Sequence, residues 1–71
     1  MTFLQACVLA AKKTEEEGKR YLVYDIGMSF IITSKYRGPN WLFRVTTDGR
    51  KGISEAGAKL AEIEGVDVRS I

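Results

Sequence analysis

Apolar positions along this chain recur first with the period of a helix and then with the period of a strand. Phe3, Leu4, Cys7, Val8 and Ala11 stand at helical spacing and predict one apolar stripe. Thr2 and Gln5 supply a Thr-x-x-Gln capping box at its start. Ala6, Ala10 and Ala11 favour helix, and Gly18 offers the left-handed residue that ends one. A first helix is therefore expected over Phe3–Glu17. From Lys19 the period falls to two. Arg20–Ile26 is rich in Tyr, Val, Leu and Ile, which suit a strand. Gly27 marks a tight turn, and Met28–Lys35 continues as a second strand, so the pair predicts a hairpin. Tyr36–Asn40 reads as a loop around Gly38-Pro39. Trp41–Thr47 predicts a third strand, with Trp41, Phe43 and Val45 on one face and Leu42, Arg44 and Thr46 on the other. Asp48-Gly49 is a turn dipeptide. Ser54 caps a second helix with Glu55 in its first turn. Ala56, Leu60 and Ile63 form its stripe, and Gly65 ends it. Gly57 costs that helix up to about 1 kcal/mol against Ala, a cost that suits close packing on the sheet. Val66–Ile71 alternates and suggests a short C-terminal edge strand.

The order is α-β-β-β-α. It predicts an α+β fold, a three-stranded antiparallel sheet with two helices packed on one face. The 71 residues make a single domain, with no repeat or linker. The strands carry apolar residues on both faces. Leu22, Tyr24 and Ile26 oppose Tyr21 and Val23; Ile31 opposes Phe30 and Ile32; Leu42 opposes Trp41 and Phe43. Two helices cover one face, so the other is expected to expose an apolar patch of the kind that marks an interface.

Size sharpens this expectation. A chain this short buries about 60% of its unfolded surface, and such domains lean on a disulfide, a metal or a partner. With one cysteine, Cys7, and no histidine, neither an intrachain disulfide nor a Cys/His zinc site is expected. Self-association through the open sheet face or an edge strand would steady the core. A free thiol without a disulfide framework points to a cytoplasmic protein. The apolar start Phe3–Ala11 has no basic residue before it and lysines after it, the reverse of a secretory leader. No apolar run reaches the ~20 residues of a membrane span.

Charge is uneven. Residues 35–51 carry five bases (Lys35, Arg37, Arg44, Arg50 and Lys51) against one acid, Asp48. The first 34 residues are balanced, and the last 20 hold two bases and four acids. Glu15, Glu16 and Glu17 crowd the negative end of the first helix, where acids are disfavoured. Lys12 and Lys13 can pair with Glu16 and Glu17 at i,i+4. That acidic knob is a second candidate contact surface.

Catalytic chemistry finds little support. Without histidine there is no histidine-based triad or general base. Cys7 lies on the apolar stripe and reads as a buried, inert thiol. Gly49-Arg50-Lys51-Gly52 has no phosphate-loop spacing. Asp25 and Asp48 are the remaining carboxylate pair. No enzyme, cofactor or metal is expected.

Two binding readings follow. The basic stretch interleaves with aromatics at Lys35, Tyr36, Arg37, Trp41, Phe43 and Arg44, a pattern that serves nucleic-acid binding through stacking and phosphate contacts. In order of elements and length the chain also resembles the double-stranded-RNA-binding domain. Asp48-Gly49-Arg50-Lys51-Gly52, followed by Ser54–Ala61, looks like that family's last turn and final helix. The lysine cluster with which that family grips phosphates is replaced here by Glu55, Ala56 and Gly57, so its RNA-contacting residues do not carry over. The preferred reading is protein binding, since Tyr, Trp and Arg are the residues enriched at interface hot spots. In size and lack of motifs the chain resembles the small modulators encoded by phages and mobile elements, which block a host or defence protein by surface complementarity. The expected partner-binding residues are Tyr36, Arg37, Trp41, Arg44, Arg50 and Lys51.

Overall fold

A computed structural model describes residues 1–71. Helix α1 spans Phe3–Glu17, and both its ends form as the sequence predicts. The Gln5 amide donates to Thr2 Oγ1 at 3.1 Å, and the Thr2 amide donates to Gln5 Oε1 at 2.8 Å. Gly18 adopts φ 66° and ψ 30°, and its N–H donates to the Thr14 carbonyl. The buried stripe differs from the expected one. It comprises Phe3, Ala6, Cys7, Ala10 and Thr14, whereas Leu4 is half-buried and Val8 exposed. The helix is rotated so that small residues one turn apart, Ala6 and Ala10, meet the sheet. Their short side chains let the two backbones approach.

Four strands follow, not three. They are β1 (Tyr21–Asp25), β2 (Phe30–Thr33), β3 (Phe43–Val45) and β4 (Lys51–Ile53). They form one antiparallel sheet in the order β2-β1-β3-β4. The predicted hairpin is β1–β2. The missed strand, β4, is a Lys-Gly-Ile triplet too short to display any alternation. The segment Asp48–Gly52 thus holds a turn and the start of a strand. A four-stranded sheet with its first strand inside departs from the α-β-β-β-α order that carried the RNA-binding likeness.

Register fixes the two faces. Val23 pairs with Ile32 on one side and Phe43 on the other, and Phe43 pairs with Ile53. This row joins Phe3, Ala6, Cys7, Ala10 and Ala61 in the core between sheet and helices. Leu42 also enters the core beside Phe43, so strict alternation fails at the start of β3. The Leu42 amide donates to the Val23 carbonyl at 2.7 Å, and its carbonyl accepts from the Ser54 amide at 3.0 Å. Trp41 is thereby placed with Arg44, not with Phe43.

Helix α2 covers Glu55–Ile63, with the Ser54 side chain accepting from the Gly57 amide at 3.1 Å. Its buried residues are Gly57 and Ala61. Ala56 and Ile63, expected in its stripe, are exposed. The close packing expected at Gly57 is present: a Cβ built there would lie 2.2 Å from the Leu42 carbonyl oxygen. No C-terminal edge strand forms. Val68–Ser70 is a turn of 3₁₀ helix, begun by the Asp67 carboxylate accepting from the Arg69 amide at 3.0 Å. That local bond competes with extended pairing. No helix is long and apolar enough to cross a membrane.

Candidate partner-binding surface

The sheet face turned away from the helices carries Leu22, Tyr24, Ile31, Thr33, Arg44 and Gly52, as the register requires. Open to solvent, it would expose Leu22 and Tyr24. Instead they are only 1% and 6% exposed. The connection between β2 and β3, residues 34–42, folds across them. The Tyr24 hydroxyl pegs it in place, accepting from the Arg37 amide at 2.7 Å and donating to the Gly38 carbonyl at 3.1 Å. Both polar functions of a buried phenol are thus satisfied. The open apolar patch expected on this face is absent, because the loop takes the place of a second layer.

What remains exposed there is aromatic and cationic. The Arg44 guanidinium lies 5.1 Å from the centroid of the Trp41 ring, within the range of a cation–π contact. Gly52, opposite Arg44 in β4, supplies the floor. A Cβ at Gly52 would come within 3.5 Å of Arg44 Nη2 and 3.8 Å of Trp41 Cη2. Arg44 has no carboxylate partner; the two ion pairs of the fold are Lys13–Glu17 at 3.9 Å and Arg50–Asp48 at 3.2 Å. Arg37 and Tyr36 stand exposed on the loop. Residues 26–47 contain Lys35, Arg37 and Arg44 and no acid; Asp25 and Glu55 stand with Trp41 around a shallow pocket at the margin of this face. A guanidinium held over an indole ring presents a ready fork of donors to a carboxylate or phosphate.

The structure divides the six expected residues. Trp41 and Arg44 are stacked, and Tyr36 and Arg37 sit on the loop that crosses the same face. Arg50 lies at the β3–β4 turn, against the Asp48 carboxylate. Asp48 itself accepts from the Thr46 hydroxyl and the Arg50 amide. These bonds, the hydroxyl's first, hold its carboxyl below its ordinary range. Lys51 belongs to the helix side, paired with Val45 in register, and its Nζ donates to the Ile71 carbonyl at 3.2 Å. Two contributors escaped sequence reasoning. Tyr24 positions the loop and Gly52 seats the stack, and each depends on a neighbour distant in the chain.

The other candidates are accounted for differently. In the acidic knob, Glu17 accepts from the Tyr21 hydroxyl at 2.6 Å and faces Lys13. Glu15 and Glu16 are exposed. The hydrogen bond to Glu17, more than burial, raises the Tyr21 hydroxyl above its ordinary value. Asp25 and Asp48 lie beyond opposite ends of the β1–β3 ladder and form no pair. Cys7 is buried, and burial, with Glu64 adding, pushes its thiol up to about 12. No protein-family model, curated protein or solved structure matches this chain.

Proposed function

We propose that this chain is a small non-enzymatic binding protein of the phage- or mobile-element type, which modulates or inhibits a larger protein by docking on an acidic patch of it. The observation that supports this reading is the Arg44 guanidinium, without a carboxylate partner and held over Trp41, in a stretch, residues 26–47, that contains no acid. Arg44 and Arg37 supply charge, Trp41 the rigid backing, and Tyr36 an exposed aromatic edge. Rigid aromatic and arginine groups are what interface hot spots use, because they lose little freedom on binding.

Nucleic acid is the weaker reading for a specific reason. Base stacking needs a free aromatic face. One face of Trp41 is occupied by Arg44 and Tyr24 lies beneath the loop, which leaves Tyr36 as the one exposed ring where a stacking platform uses several.

Arg44→Glu and Arg37→Glu should each remove partners captured from a host lysate by the immobilised protein, with circular dichroism and melting temperature unchanged. If the folded variants capture the same proteins as the wild type, the surface is wrongly assigned. A parallel titration against labelled duplex RNA, duplex DNA and single-stranded DNA should give no binding. Binding that falls steeply with salt would replace the protein reading by a phosphate-contacting one.

A further inference from the structure

The two edges of the sheet are unlike. Strand β4 ends the sheet with three residues that include Lys51 and Gly52, and Lys51 is tied to Ile71. A short, charged edge of this sort resists pairing. Strand β2 has no such protection. From Ile26 to Ser34 the chain contains no charge and no proline.

Which backbone groups of β2 face outward follows from the ladder. The Ile26 amide donates to the Ser29 carbonyl, and the Val23 carbonyl accepts from Leu42 on the β3 side. Hydrogen-bonding direction alternates along a strand. Leu22 and Tyr24 therefore bond toward β2, to Thr33 and Ile31. Phe30 and Ile32 then turn their N–H and C=O groups outward, and nothing in the fold pairs with them.

We propose that β2 is a self-pairing edge: two copies of this chain join antiparallel through it, with Ile31 facing Ile31 of the second copy on the two-fold axis. In that register Phe30 of each copy exchanges both backbone bonds with Ile32 of the other, the pairing that their outward groups require. The axis is perpendicular to the sheet, so both sets of helices lie on the same side and the four strands of each copy become one sheet of eight. A two-fold axis sets like beside like, which favours an uncharged strand over one carrying Lys or Arg. Antiparallel pairing also brings the hairpin end of β2, where Met28 is fully exposed, to the other copy's Tyr36 end, where that ring is 57% exposed. Each copy thus covers apolar surface that the other leaves bare. This interface uses the sheet edge and is independent of the Arg44 surface.

Light scattering on a sizing column, run up to millimolar protein, should give twice the mass of one chain. Ile31→Lys should shift the peak to the monomer, while Arg44→Glu should leave the dimer intact. Ile31→Cys should form an interchain disulfide under mild oxidation, because directly opposed residues of a non-hydrogen-bonded pair lie within disulfide reach. Cys7 is buried and does not compete. Thr33→Cys, off the axis, should not cross-link. A wild-type monomer at every concentration overturns the proposal. So does a dimer in which Ile31→Cys fails to cross-link or Thr33→Cys links as readily, and this second criterion holds even if Ile31→Lys fails to fold.

Discussion

The Glu64 carboxylate closes on the backbone amide of Phe3, with Oε1 at 3.1 Å and Oε2 at 3.0 Å. A residue at the end of α2 thereby serves the first turn of α1, where N–H groups lack helical partners and the helix dipole is positive. Thr2 and Gln5 satisfy their own share locally. Glu64 supplies a long-range cap that also joins the two helices.

Glu64→Ala should lower stability by about 1–2 kcal/mol, the usual worth of a helix cap or a charge-assisted hydrogen bond. Glu64→Gln, which keeps an acceptor and loses the charge, should fall between. Urea denaturation of the three proteins checks the ranking. Equal stability of wild type and Glu64→Ala would mean that water serves the Phe3 amide as well.

At Gly57, helix propensity and packing point in opposite directions. Alanine would favour the helix by up to about 1 kcal/mol. Its methyl would, however, sit 2.2 Å from the Leu42 carbonyl oxygen and 3.0 Å from Ile53 Cγ1. Backbone on one side cannot yield as a flexible side chain can, so packing should win. Gly57→Ala is expected to destabilise by roughly 1–3 kcal/mol, in the range of overpacked cores. A melting temperature at or above wild type would show α2 free to slide outward.

Tyr24→Phe removes the peg and leaves the ring. The Arg37 amide and Gly38 carbonyl then lose their partner, at a cost of about 1–2 kcal/mol. Amide exchange at Arg37 should quicken more than at Val23 in the ladder beneath. If Arg37 exchanges at the wild-type rate, the loop is held by its packing instead.

Cys7 should resist alkylation at pH 8 in the native protein and react at once in urea. The sign of its pH linkage is definite. The folded thiol is raised from an ordinary 9.0 to about 12, so its contribution to stability is whole below pH 9 and is lost as pH climbs toward 12. Cys7→Ala should remove that alkaline component. Rapid native labelling at pH 8 would show the core opening around α1.

The sequence exposed some of this organisation and concealed the rest, for physical reasons. The ends of α1 were legible because Thr2, Gln5 and Gly18 act within one turn of themselves. The face it buries was not, since Leu4, Val8 and Ala11 are as apolar as Ala6 and Ala10. Only the proximity of the sheet selects the smaller pair. Trp41 and Leu42 exchange their expected sides because Leu42 is held between Val23 and Ser54, both remote in sequence. Of the candidate site, the basic and aromatic residue types were readable, and of the six residues Trp41 and Arg44 come into contact. Arg50 and Lys51 read as equivalent to them, whereas Arg50 is held by Asp48 in the turn and Lys51 reaches Ile71 on the helix side. The crossing of the outer face by the 34–42 loop is pegged by one phenol, Tyr24, and had no local signature.

The strand order carries a kinetic consequence. In β2-β1-β3-β4, two neighbour pairs are hairpins of adjacent segments, and β1–β3 alone joins distant ones. The chain is thus two quick hairpins and one slow meeting, in which Val23 must find Phe43. Loop-closure entropy falls due at that encounter, before the contacts that repay it exist. Refolding rate should therefore track the length and stiffness of the 34–42 segment, whose Gly38-Pro39 restricts its search. The loop that roofs the finished sheet also sets the tempo at which its halves meet.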